Sequence, residues 1–137
     1  MKGQSSLELL VTVGIVIAFT IPVLFLLLSS TSIGYEDTAK AQADASARTL
    51  SDTMNSVYAQ GDGAQRTILL NVPSSTQEIY ASGGEAVIAI ETQGGRFEAA
   101  SPTIAEIRGT STTLGRKTGL VLVTVENIGG EVELSAE

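Results

Sequence analysis

The chain has 137 residues, 15 acids against 8 bases and a formal charge of −7, with neither cysteine nor histidine. Disulfides, thiolate metal sites and the Ser–His and Cys–His catalytic devices are therefore excluded. An acidic chain is also a poor match for nucleic acid, whose binding is driven by neutralising phosphates.

The first predicted element is apolar. Leu9 to Leu28 is a run of twenty uncharged residues, fifteen of them Leu, Ile, Val or Phe. A run of that length reads as a membrane-spanning helix. At roughly −0.3 to −0.6 kcal/mol per large apolar residue, insertion is favoured by about 5 to 9 kcal/mol. Glu8 sits at the head of the run, where an acid costs less than the ~2.5–3.5 kcal/mol of the bilayer centre. Insertion is expected in spite of it. Lys2 and the terminal amine are the positive charges at this end, so the N-terminus is expected in the cytoplasm and the chain beyond Leu28 outside.

Other readings of the same run compete. A secretory signal peptide would find small residues at Ser30 and Ser32, but its apolar stretch is usually 7–15 residues and carries no acid at its head. A single-pass anchor would place Glu8 among lipid headgroups. A soluble buried helix is disfavoured by length.

The first octet, Met1-Lys2-Gly3-Gln4-Ser5-Ser6-Leu7-Glu8, resembles the class III signal peptide of archaeal type IV pilins. Gln4, Ser6 and Glu8 stand at the spacing of the Gln-x-Ser-x-Glu motif, ahead of the apolar helix. Thr12 occupies a position where the family often has Leu. The resemblance implies a leader of residues 1–3 and cleavage between Gly3 and Gln4 by a prepilin peptidase. It also implies extraction from the membrane by an assembly platform and its ATPase, and a product that is a cell-surface filament of identical subunits. Archaeal flagellins share the plan but carry a Gly-Ile/Leu-Gly-Thr-Leu element that is absent here, which points to an adhesion pilus. In that setting Glu8 acquires a partner: the new amine of Gln4 in a neighbouring subunit. A carboxylate in a low-dielectric bundle is costly unless paired, so such a pair would also select one axial register. An N-terminal Gln that cyclises would leave a weaker, neutral hydrogen bond.

Pro22 lies inside the apolar run and leaves the Ala18 carbonyl without its helical donor. An ordinary membrane-helix kink and a bend that aids packing in a filament both remain open. Gly14 and Ala18, four apart, offer a smooth strip for close helix contact.

Ser29 to Gly34 reads either as a helical join or as a hinge. If helix is continuous from Gln4 to Gln60, it is roughly 85 Å long. Over residues 35–60, Ala43, Ala47, Leu50, Met54 and Val57 follow a 4-3-4-3 spacing that predicts an amphipathic helix. Glu36, Lys40, Asp44, Arg48 and Asp52 form a ladder of alternating charge, expected on a solvated face or, alternatively, between subunits. Gly61-Asp62-Gly63 is expected to end the helix in a turn rather than to form an ion loop.

Residues 61–137 read as a β-rich head. Strands are predicted over Arg66–Val72, Gln77–Ala81, Glu85–Thr92, Arg96–Ala99, Thr103–Arg108, Gly119–Glu126 and Glu131–Leu134, with Gly94-Gly95 and Gly129-Gly130 as turns. Gly109 to Lys117 is expected to be the longest exposed loop. The spacing suggests a small antiparallel sandwich with a single core. Glu131 and Glu133 share a strand face but supply too few ligands for Ca²⁺.

The expectation is thus an α+β chain: a long apolar N-terminal helix (residues 4–60) followed by an antiparallel head. No catalytic, cofactor or metal site is anticipated. The expected role is a major pilin, a structural subunit that polymerises with itself. The rivals are a membrane-anchored binding protein, a minor pilin and an archaellin-like subunit.

Overall fold

The computed structural model describes residues 2–137. Met1 and the side chains of Lys2 and Ser32, which belong to the expected leader and to the signal-peptide alternative, lie outside the described residues. The fold is α+β. One helix, α1 (Lys2–Gln60), precedes seven strands: β1 (Gln65–Val72), β2 (Thr76–Ser82), β3 (Glu85–Thr92), β4 (Gly95–Pro102), β5 (Ser111–Gly115), β6 (Gly119–Ile128) and β7 (Glu131–Ala136). Ser29 to Gly34 is helical, as the reading of a helical join has it. Contacts divide the chain into two compact units, with the boundary between Glu36 and Asp37.

In the second unit, Asp37–Glu137, the strands form two antiparallel sheets, of order β1-β6-β7 and β4-β3-β2-β5. Ala43, Ala47, Leu50, Met54 and Val57 are all fully buried, as the 4-3-4-3 spacing predicts, and share one core with both sheets. Sheet residues facing them alternate with period two: Leu70 and Val72, Ile79 and Ala81, Ile88 and Ile90, Val121, Val123 and Val125. The helix is pinned on both flanks. Towards β1, the Gln42 amide and Ser46 hydroxyl donate to the Asn71 carbonyl at 3.0 and 2.8 Å. Towards β4, the Ser51 hydroxyl donates to the Pro102 carbonyl. Just beyond, Asn55 Oδ1 accepts from the Thr103 hydroxyl (2.7 Å) and the Ile104 N–H (2.9 Å).

The charge ladder is mostly solvated. Arg48 pairs with Asp44 at 2.9 Å with both side chains well exposed, a contact of small energetic weight. Lys40 departs from the pattern, because its ammonium lies 5.8 Å from the centre of the Phe97 ring.

α1 stops at Gln60, and its end is clamped to the β6–β7 hairpin. Gly63 N–H donates to the Asn127 carbonyl (2.9 Å), and Asn127 N–H to the Ala64 carbonyl (2.8 Å). The Asp62 carboxylate accepts the Gly129 N–H at 2.6 Å, so this acid braces a turn. The buried Asn127 amide reaches the last helical carbonyls, Val57 and Tyr58, at 3.5 and 3.4 Å, and its oxygen accepts the Gly130 N–H at 2.9 Å. Carbonyls at a helix C-terminus lack intrahelical donors, and Asn127 supplies one from 69 residues away.

Three details of the predicted head are corrected. Thr103–Arg108 is not a strand; only Ile107 makes an isolated parallel bridge, to Val132. The backbone there is engaged elsewhere, through Thr103 N–H to Gly84 and Ile104 N–H to Asn55. Within the predicted loop, Ser111–Gly115 forms β5, paired antiparallel with β2. Its threonines are β-branched and suit a pleated edge as well as a turn. Finally, the β3–β4 turn is Gln93-Gly94, since Thr92 pairs with Gly95. The Gly129-Gly130 turn is as expected: φ values of +65° and +90° give the doubly left-handed geometry of a two-residue type I′ hairpin.

The outward face of the four-stranded sheet carries a polar lid. Arg96 on β4 reaches Glu98 at 2.9 Å and, across β3, Glu78 on β2 at 3.5 Å. Ala89 on β3 lies between Glu78 and Glu98 and is fully buried. The Tyr80 hydroxyl donates to Glu98 at 3.4 Å and the Thr113 hydroxyl to Glu78 at 3.2 Å. Partial desolvation, and then the Glu98 carboxylate, push the Tyr80 phenol above its ordinary value. The hydrogen bond to Glu98 likewise holds the Arg96 guanidinium above its own.

Candidate functional site

The site is the apolar half of α1, built from the octet upward. Gly3, Gln4, Ser6 and Glu8 all lie in the first turns of helix and are exposed. With i and i+4 on one face, Gln4 and Glu8 share a side of α1 one turn apart. Glu8 makes no ion pair among the described residues.

Beyond Glu8, every large apolar residue from Leu9 to Leu28 is solvent-exposed. Exposure runs all around the helix rather than along one stripe. A helix apolar on every side belongs in a core or a bilayer, not in water. The helix is long and apolar enough to cross a membrane, and its position near the N-terminus suits membrane association or a signal sequence.

Its threonine hydroxyls are satisfied within the helix. The hydroxyls of Thr12, Thr20 and Thr31 donate to the carbonyls four residues earlier, those of Glu8, Val16 and Leu27, at 2.8, 2.7 and 2.9 Å. In hydrocarbon such groups have no water to turn to, so this back-bonding removes a cost of several kcal/mol per group (on the order of 2–7). Pro22 lies within α1 without ending it. Beside it Ile21, Leu24, Phe25 and Leu28 line a small apolar hollow. Gly14 has open space where a side chain would stand, which is the room a neighbouring helix needs for close approach.

The head adds a second class of feature. At the seam of β5 and β7 an open groove of about 700 Å³ is lined by Arg108, Ser111, Thr112, Thr113, Glu131, Glu133 and neighbours. Glu133, one of the two same-face acids, is held by Arg108 at 2.9 Å, which ties the β4–β5 connection to β7. Sequence reasoning missed Asn127 and Asn55, the two amides that lock helix to head. An Asn just before Ile-Gly-Gly was the visible signal for the first; Asn55 gave none.

The chain matches no known family model, no curated protein and no solved structure, so what the site does rests on these residues.

Proposed function

We propose that this chain is the repeating subunit of an archaeal type IV pilus-like surface filament. The observation that supports this most strongly is the apolar half of α1. It is a long uncharged helix whose large apolar side chains are all exposed, headed by an acid, four residues after Gln4 of a Gly3–Gln4 cleavage motif, that makes no ion pair among the described residues. A bilayer satisfies the apolar surface before assembly. In the filament, identical helices replace the lipid, and the β head is carried outside.

The roles follow residue by residue. Gly3 and Gln4 flank the cut made by a prepilin peptidase, with Gln4, Ser6 and Glu8 as its recognition motif. Glu8 then pairs with the Gln4 amine of a neighbour, and Pro22 adjusts the course of the helix for packing. The work of the chain is structural rather than catalytic, and adhesion is its natural consequence. An assembly platform with its ATPase lifts the processed subunit out of the cytoplasmic membrane.

N-terminal sequencing of the native chain tests this reading. The mature protein is expected to begin at Gln4 and to be recovered in filaments sheared from cells. An intact Met1 start on a chain that stays with the membrane would instead identify a single-pass anchored binding protein.

A further inference from the structure

Two exposed apolar features of the head play no part in the reading of α1. The first lies on the outward face of the three-stranded sheet. Leu69 and Leu122 are direct cross-strand partners, and Leu120 stands two residues before Leu122 on the same face. Their relative exposures are 57, 45 and 69%. Their neighbours Leu70, Val121 and Val123 point inward and are buried, so these leucines are not core residues displaced by a register slip. A solvated sheet face ordinarily carries polar groups, as the Arg96–Glu98–Glu78 face of the other sheet does. Three adjacent leucines form a patch of a few hundred Å², the size that marks interaction sites on monomers.

The second feature is Ile104, 75% exposed in the β4–β5 connection. Its backbone is held by Asn55, and the adjoining Thr103 by Asn55 and Gly84, so the side chain is presented by a fixed loop. The two features flank α1 on opposite sides: β1 is tied to Gln42 and Ser46, and the Ile104 loop to Asn55. Charge accompanies each. Arg116 and Lys117 lie just before Leu120, and Glu106 lies two residues after Ile104; none of the three forms an ion pair among the described residues.

We propose that Ile104 of one copy seats on the Leu69–Leu120–Leu122 surface of the next, with Glu106 against Arg116 and Lys117. This contact rests on the filament reading above. It joins two different surfaces of the same head. A heterologous contact of that kind propagates as an open helical array instead of closing into a dimer. Its area is well below the roughly 1,000 Å² of a stable two-body interface. Free subunits therefore do not pair through it. In a polymer already joined through α1, the high effective concentration lets a small contact fix the orientation of neighbouring heads.

Because the chain lacks cysteine, introduced thiols report on this contact alone. Filaments of full-length chain carrying both Ile104→Cys and Leu122→Cys are expected to yield a ladder of covalent multimers on mild oxidation, and each single variant none. Arg116→Glu with Lys117→Glu is expected to raise the subunits released on gentle heating several-fold, and added Glu106→Lys to reverse much of that rise. Filaments without a ladder would overturn the contact while leaving the filament reading intact. Dimers from Leu122→Cys alone, or Leu122→Cys labelled by a maleimide in filaments as fast as in released subunits, would do the same. The latter result would assign the leucine face to solvent, a lipid surface or another partner. Failure of the unaltered chain to form filaments would overturn both.

Discussion

Glu8→Ala is expected to leave the chain in the membrane and, compared at equal amounts of leader-cleaved chain because Glu8 also belongs to the peptidase's recognition motif, to cut its yield in sheared filaments about a hundredfold or more. The reasoning is a difference between two environments. At the membrane edge the carboxylate is wet and its removal costs little. In the proposed bundle it would answer the Gln4 amine of a neighbour, and removing one partner of a buried pair costs about 3–5 kcal/mol. Each ~1.4 kcal/mol is a factor of ten in the equilibrium for adding a subunit. Glu8→Gln keeps the size and one hydrogen bond, so it is expected to fall between the variant and the wild type. Immunoblotting of the sheared fraction, with the mass of the membrane-bound chain as a check on cleavage, measures both. Wild-type filament yield from Glu8→Ala would remove this role from the carboxylate.

Leu50→Ala is expected to be the most damaging simple truncation in the second unit, Asp37–Glu137. Leu50 is fully buried at the middle of the α1 stripe, where the core cluster takes in residues of both sheets. Truncating a buried leucine costs about 2–5 kcal/mol, the spread reflecting how far the cavity collapses. For a folded unit of about 100 residues, that corresponds to a fall in Tm of roughly 10–25 °C. Asp52→Ala, on the solvated ladder two residues away, is expected to change stability by less than about 0.5 kcal/mol. Thermal melts of the full-length chain in detergent, followed at the β-sheet circular dichroism band, separate the two. Equal melting of Leu50→Ala and wild type would contradict the shared core.

Local pattern carried most of the fold and stopped where distant residues took over. The five stripe residues of α1 could be read because a helix repeats every 3.6 residues and burial follows that repeat. The strand at Glu85–Thr92 announced itself as an apolar run between turn formers. β5 did not, because Ser111, Thr112 and Thr113 are small hydroxyl residues that suit a turn and an edge strand alike; its fate depended on pairing with β2. Thr103–Arg108 erred in the other direction. Its isoleucines suggested a strand, but the backbone partners were Gly84 and an asparagine 49 residues earlier. Of the candidate site, Gln4, Ser6, Glu8 and the apolar run lay in plain view in the first 28 residues. The outward leucines did not. Gly119 to Val125 is continuously apolar but for Thr124, and such a run says nothing about which residues face water.

The account depends on α1 exchanging lipid for copies of itself, and a helical reconstruction of filaments purified from native cells tests that most directly. It is expected to place Leu9–Leu28 in an axial bundle of identical helices, with each Glu8 carboxylate within about 3 Å of a neighbour's Gln4 nitrogen. Filaments whose axis is built from other residues, or a chain found only as single copies embedded in bilayer, would contradict it.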